Sequence, residues 1–296
     1  MTLEVFDRRL LRQRRNRAAA GIGGFDFLLA EVATRLVERL GVIRKEFPLM
    51  VDLGSAHGVL AEKLRRRPGT ESVICTDTSF EMARLCRHSI VADEEFLPFR
   101  AASLDAAVSN LNLHWVNDLP GALLQTKQAL KPDGLFLAAL LGGESLRELR
   151  QCLMEAELEV SGGASPRVSP FIDPVDMGAL LQRAGFTLPV VDSDMITVDY
   201  ASALKLMQDL RGMGAANATT NRLLKPTRRK VILEALRLYH EKFADAAGGA
   251  GYGKGRVAAT FQVIYAIGWA PHASQQKPLV PGSAKHKLAD YLGGER

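Results

Sequence analysis

The sequence predicts an α/β protein: a Rossmann-like, mostly parallel sheet with helices on both faces, an antiparallel edge strand and a helical insertion. Three observations lead there. Five short apolar runs between residues 48 and 141 alternate with stretches of helical periodicity, the rhythm of strand–helix–strand units. The first run ends in "VDLGSAHG" (51–58), a glycine-broken turn that opens onto a helix-like stretch. A chain of 296 residues with 47% hydrophobic and 24% charged composition is large enough to bury such a sheet.

Taken in order, Leu28, Leu29, Val32, Leu36 and Leu40 recur at helical spacing, so a lead-in helix spans Gly24 to Leu40. "PLMVDLG" (48–54) is the first strand, followed by a helix over 58–67 and the strand "ESVICTD" (71–77). A helix from Ser79 to His88 leads to "SIVAD" (89–93), and "LDAAVSNL" (104–111) is the fourth strand. A helix over 119–130 stops at "KPDG", and "LFLAALL" (135–141) is the fifth strand. After Gly143 a helix carries Leu146, Leu149, Leu153 and Val160 on one stripe, and "SGGASPRVSPFIDP" connects it to a short helix over 174–184. "LPVVDSDMITVDY" (188–200) reads as a long strand, 201–247 as helical and "GGAGYGKG" (248–255) as a flexible turn. The last strand (259–269) is expected beside 188–200 as an antiparallel edge, and the residues after Trp269 as a loose tail. This reading gives an N-terminal helical arm (1–47), a Rossmann-like domain (48–200), a helical lid (201–256) and a final edge strand with tail (257–296).

Net charge is +5, but it is concentrated. Six arginines stand against Glu4 and Asp7 within residues 1–17; setting those aside leaves 32 basic and 31 acidic residues. A basic arm without a basic groove argues against a nucleic-acid channel. Cys75, Cys86 and Cys152 show no Cys-x-x-Cys spacing, which argues against a disulfide framework or a zinc site and fits a reducing compartment. The longest apolar stretch is too short to span a bilayer, the start lacks an apolar signal core, and Glu4 and Asp7 count against a presequence. A cytoplasmic protein is expected.

Ligands of open α/β sheets bind beyond the carboxyl ends of the strands. Asp52 to Gly58 lies there, with glycines that let the backbone approach a ligand. It is not a dinucleotide fingerprint, because the third glycine of that pattern would fall at Val59. Asp77 ends the second strand 19 residues after Gly58, where a carboxylate can accept both hydroxyls of a ribose. Asp93 ends the third, where an acid can receive the amine of an adenine. The fourth ends in "SNLNLHWV", and "LKPDGLF" leads into the fifth.

Residues 48–141 thus resemble, in the correct order, the class I S-adenosylmethionine-dependent methyltransferases. The resemblance implies S-adenosylmethionine as cofactor, with Asp52, Gly54, Ser55, Ala56 and Gly58 holding the methionine part. It places Asp77 and the adjoining Thr78 at the ribose, Asp93 and Glu94 at the adenine, and Leu111 against the sulfonium. Ala56 departs from the family's second glycine; its methyl narrows the ligand's amino-acid end and is strained if φ there is positive.

The outer segments narrow the match. "VFDRRLLRQRRNRAA", "ADEEFLPFR", "LNLHWVNDLPGAL", "DLRGMGAANA" and "TFQVIYAIGWAPHASQQKP" resemble the complex I assembly factor 5 family, mitochondrial arginine hydroxylases with bacterial relatives. The similarity runs from about Val5 to Pro278. It implies modification of a protein substrate, a subunit of respiratory complex I, during assembly. The malonyl-carrier-protein O-methyltransferases share the segment like "LRGMGAANA" and give an alternative, methyl transfer to a carboxylate. A third reading is a non-catalytic assembly chaperone that kept the fold. The six scattered histidines show no iron-binding spacing, so hydroxylation is implied by resemblance alone.

His114, just past the fourth strand, is the candidate catalytic residue, positioning or deprotonating a substrate group; the alternative is that it packs beneath the insertion. Asn110 and Asn112 alternate with Leu111 and Leu113, so one face of that turn meets the cofactor. The arginines of the arm either reach an acidic partner or anionic surface, or lie on a solvated helix paired with nearby acids.

Overall fold

The computed structural model describes residues 4–244 and 255–276. Seven strands form one sheet in the order β3-β2-β1-β4-β5-β7-β6. They are β1 (Leu49–Leu53), β2 (Ser72–Asp77), β3 (Ser89–Val91), β4 (Leu104–Asn110), β5 (Leu130–Leu141), β6 (Thr187–Tyr200) and β7 (Val257–Trp269). β1 pairs in parallel with both β2 and β4, so the chain reverses its direction of travel across the sheet between them. That reversal makes the crevice at the carboxyl ends of β1 and β4 the natural ligand position.

The strands alternate cleanly because both faces are covered. Met50, Val73, Val108, Leu137 and Phe261 point to the face packed by α2 (Phe27–Gly41), α3 (Val59–Leu64), α6 (Arg147–Ser161), α8 (Ala203–Gly212) and α9 (Arg229–Phe243). Val51, Leu53, Phe136, Leu140 and Ile264 point to the other, packed by α5 (Leu119–Ala129) and α7 (Pro174–Ala184). The alternation expected of α2's stripe holds: Leu28, Val32, Leu36 and Leu40 are all buried.

Several boundaries differ from the sequence reading. The helix expected over 79–88 is the single turn α4 (Phe80–Ala83), because the chain then turns through His88 at φ 55 to reach a three-residue strand. The helix expected over 58–67 is α3 alone. β5 begins at Leu130, five residues early, since "LKPDG" continues the ladder with Asp133 at φ 62. The final strand is antiparallel to β6 as expected but is not the edge: β7 lies between β5 and β6. Burial explains the order. β7 is buried on nearly every residue, whereas β6 alternates and carries Asp192, Asp194 and Asp199 on its partly exposed length.

Residues 201–247 are not continuously helical. Gly214 at φ 73 and Pro226 break the run, so an irregular segment joins α8 to α9. Most of the glycine-rich turn at 248–255 and of the tail after Trp269 lies outside the described residues. The part described, 270–276, is stapled: Gln275 accepts from Thr187 Oγ1 at 2.7 Å and donates to Asp133 Oδ1 at 2.9 Å.

Candidate functional site

The turn after β1 is built on left-handed backbone. Gly54, Ala56 and Gly58 have φ of 68, 49 and 84. A side chain on Gly54 would sit inside the Asn112 side chain, so the loop is pressed against the end of β4 at a distance only glycine allows. Ala56 adopts the αL conformation that costs a non-glycine residue about 1–2 kcal/mol. Its methyl is not idle, however: it packs with Ala18, Ala19, Ile22 and Met82. Burying one methyl contributes up to about 0.8 kcal/mol, which offsets roughly half of the strain. Ser55 N donates to Thr76 O at 2.8 Å, tying the loop to β2.

Asp52 does not line the cavity beyond this loop. It is fully buried behind it, and neither carboxylate oxygen has a hydrogen-bond partner. Burial pushes its carboxyl well above the ordinary range; the Ala61 N–H offsets this in part without reaching full hydrogen-bond geometry. Asp52 therefore backs the loop from the core, where burial favours its neutral form.

The acids at the strand ends do come together, and the first helix lies across them. α1 (Arg8–Ala18) is capped by Asp7, whose side chain accepts from Leu10 N at 2.9 Å. Arg8, Leu11, Arg15 and Ala18 fall on one face. Arg15 Nη1 reaches Asp77 Oδ2 at 3.2 Å, with side-chain exposures of 10% and 0%, and its Nη2 donates to Asn112 Oδ1. Asp77 also accepts from Ala56 N at 3.1 Å and Ser79 N at 2.8 Å. Burial pushes the Asp77 carboxyl up and the Arg15 guanidinium opposes that rise. Arg8 bonds Asp93 Oδ1 at 2.6 Å and also pairs with Glu94, which accepts from Asn112 Nδ2 at 2.7 Å. The arm is thus docked through two of its six arginines: Arg8 and Arg15 meet acids, as one reading had it, and do so largely out of solvent, while Arg9, Arg12 and Arg17 stay exposed and Arg14 bonds the carbonyls of Ala216 and Asn217.

Two spaces flank this ionic seam. Inside is a cavity of about 60 Å³ lined by Gly54, Ala56, Leu111, His114 and apolar side chains including Leu28, Met213 and Phe261. Outside α1 is a recess of about 330 Å³ that holds Thr78 and Asp93 beside Arg8. Sites for small molecules usually exceed roughly 300 Å³. Of the expected cofactor residues, Gly54, Ala56 and Leu111 line the inner space and Thr78 and Asp93 the outer, Asp77 and Glu94 lie in the seam, and Asp52, Ser55 and Gly58 line neither.

Leu111 enters the inner cavity at φ 50, the second non-glycine αL residue of the site. His114 is buried against Trp115 and Phe171, with ring centroids at 5.2 and 5.6 Å. Its Nδ1 accepts from Leu141 N at 3.4 Å, which leaves the proton on Nε2. Burial, reinforced by the Arg15 charge, pulls its pKa down to about 3, so it is neutral. Asn110 lines the same cavity. Its Nδ2 donates to Leu29 O at 2.9 Å, which fixes the amide's orientation and leaves Oδ1 buried without a partner. Sequence reasoning missed Arg8 and Arg15, whose acidic partners lie far along the chain, and the buried Asn110 acceptor; the i, i+3, i+7 spacing of Arg8, Leu11 and Arg15, which puts both arginines on the helix's apolar face, was the available signal.

This architecture belongs to a recognised class. Residues 25–189 match the family model described as "Methyltransferase domain". The fold is that of a solved methyltransferase from Bacillus halodurans (TM-score 0.55, 13% identity, covering 81% of this chain and 99% of that one). The relatives are more particular. The zebrafish "Arginine-hydroxylase NDUFAF5, mitochondrial" is 41% identical over 97% of this chain and 89% of its own length, and the human protein of that name 42% over 96% and 82%. A "Malonyl-[acyl-carrier protein] O-methyltransferase" of Methylovorus is 30% identical over 94% and 95%. The chain belongs to the NDUFAF5 arginine-hydroxylase family within the S-adenosylmethionine-dependent methyltransferase superfamily.

Two measurements test this local chemistry. Ala56→Gly should raise stability by up to about 1 kcal/mol in denaturant unfolding, since αL relief is only partly cancelled by methyl loss; a loss of stability would show that the methyl contact dominates. For His114, the folded pKa lies below the unfolded one, so its contribution to stability is complete above about 6.5 and is lost as pH falls through about 3. Imidazole nitrogen shifts should accordingly stay those of a neutral Nε2–H ring from pH 8 to 5, and a titration midpoint near 6.5 would contradict the assignment.

Proposed function

We propose that the chain binds S-adenosylmethionine along the carboxyl edge of β1, β2 and β4 and modifies an arginine side chain of a protein substrate. In keeping with the family resemblance, that substrate is a subunit of respiratory complex I met during assembly in the cytoplasm. The observation that carries the substrate class is the unpartnered Asn110 Oδ1. A buried acceptor without a donor costs about 1–3 kcal/mol; Asn110 lines the cavity with its Oδ1 buried in the wall, and a guanidinium N–H would remove that cost once the wall opens to it. His114, with its proton on Nε2, is a neutral donor, suited to positioning a substrate group and unsuited to abstracting a proton through Nδ1.

S-adenosylmethionine, when bound, supplies an electrophilic carbon on a sulfonium. The chain's residues would hold it: Asp77 would accept ribose hydroxyls with Thr78 alongside, Asp93 and Glu94 would take the adenine amine, and Gly54, Ser55, Ala56 and Gly58 would cradle the methionine part. Leu111 packs at the sulfonium, and Asp52 supports the loop from behind. Leu28, Met213 and Phe261 keep water out, so orientation supplies most of the catalysis. The lid role belongs to α8 and the irregular segment after it, which bring Leu210 and Met213 to the cavity wall. No described helix is long and apolar enough to cross a membrane, so contact with a bilayer would be peripheral.

The second reading, transfer to a carboxylate as in the carrier-protein O-methyltransferases, draws on Arg15, a cation on the cavity wall. Parallel incubations with S-adenosylmethionine and either isolated complex I subunits or a malonyl-carrier-protein thioester, followed by peptide mass spectrometry, separate them. A mass gain on an arginine, abolished by Asn110→Ala, is expected. A gain on a malonyl thioester instead would establish the second reading, and no gain on any arginine would contradict the first.

A further inference from the structure

Arg15 stands out among the residues around the inner cavity. It is 8% exposed, comes from an arm 62 residues upstream of its partner Asp77, and lines the cavity together with Gly54 and Ala56. Its guanidinium holds one carboxylate oxygen and one amide oxygen, both of which belong to the strand ends that the ligand would occupy. A buried guanidinium cannot give up an anionic partner without gaining another, because an uncompensated charge in that environment is strongly unfavourable. The inference rests on the cofactor reading above. S-adenosylmethionine brings both things the exchange requires: a diol with donors for Asp77, and a carboxylate with acceptors for a guanidinium.

We infer that Arg15 is a partner-exchanging residue that selects the intact amino-acid end of the cofactor: on binding it releases Asp77 to the ribose and takes the methionyl carboxylate. The charges balance throughout. Before binding, Arg15 neutralises Asp77. Afterwards Arg15 neutralises the ligand carboxylate, while Asp77 keeps its bonds from Ala56 N and Ser79 N and gains the hydroxyls. Arg8 stays on Asp93 and Glu94 and anchors the start of α1, so the exchange needs movement at Arg15 without undocking the helix. The exchange would also open a path from the inner cavity toward the outer recess, since Arg15 lines the first and Thr78, next to Asp77, lines the second. Phe6 supports that anchor, packing edge-on to Trp115 at 5.4 Å with its N–H bonded to Asn117 Oδ1 at 2.8 Å.

The test is calorimetric titration of the full chain with two ligands, S-adenosylhomocysteine and 5′-methylthioadenosine, which share the nucleoside but differ in the amino-acid end. In Arg15→Ala, affinity for S-adenosylhomocysteine should fall about ten- to a hundred-fold, the worth of a charge-assisted bond. Affinity for 5′-methylthioadenosine should hold or rise, because Asp77 no longer has to be vacated. Arg15→Lys should recover part of the first loss, which a merely structural role would not produce. Equal losses for both ligands would overturn the inference, showing that Arg15 only holds the helix. Tighter binding of both would overturn it too, showing a plug without a carboxylate contact. If the parent chain binds neither ligand, the cofactor reading itself fails, and that result is distinct from either of the others.

Discussion

A guanidinium from the first helix rests on a carboxylate at the end of the second strand, both out of water. Everything at the carboxyl edge of the sheet is arranged around that contact. Removing one partner of such a pair typically costs about 3–5 kcal/mol, because the other is left charged and unsolvated. Neither Arg15 nor Asp77 is therefore free to drift. The pair fixes α1 over the crevice, and with it Ala18, which together with Ile22 packs on Ala56. The substitution in the glycine loop and the docked arm are one feature: the methyl that strains the turn is the surface on which the start of the chain sits.

The sheet explains why the acids meet at all. Parallel pairing of β1 with β2 and β4 brings Asp77, the glycine loop and the Asn110–Asn112 turn to one rim, although they are spread over 60 residues of sequence. Asn112 then joins the two ion pairs, accepting from Arg15 and donating to Glu94. An amide can bridge a cation and an anion in this way because it carries both donor and acceptor; an aspartate at that position would lose the bond to Glu94, and a leucine would lose both.

The parallel core was legible in the sequence because both-face burial writes itself as apolar runs, and strand-end acids are readable from their position in each run. The edge order was not. β6 and β7 look alike as long β-rich segments, and only the burial of nearly every residue of β7 against the alternation of β6 shows which lies inside. The arm was misjudged for a related reason. Six arginines in a short stretch look solvated by composition, and the partners that bury Arg15 are supplied by residues 77 and 112, far along the chain. Asp52 shows the opposite limit: it carries the motif's acid, yet the fold turns it away from the cavity into the core.

The neutral His114 gives the inner cavity a donor in an apolar wall, with a cation at the seam and the unpaired Asn110 oxygen buried within the wall. The central claim is that the carboxylate of β2 is a nucleoside site held closed by the arm. A crystal structure of the full chain with S-adenosylhomocysteine tests it most directly. The expected result is ribose hydroxyls on Asp77, with Arg15 no longer paired to it and the two flanking spaces joined. Electron density that keeps Arg15 on Asp77, with the nucleoside elsewhere or missing at saturating ligand, would contradict it.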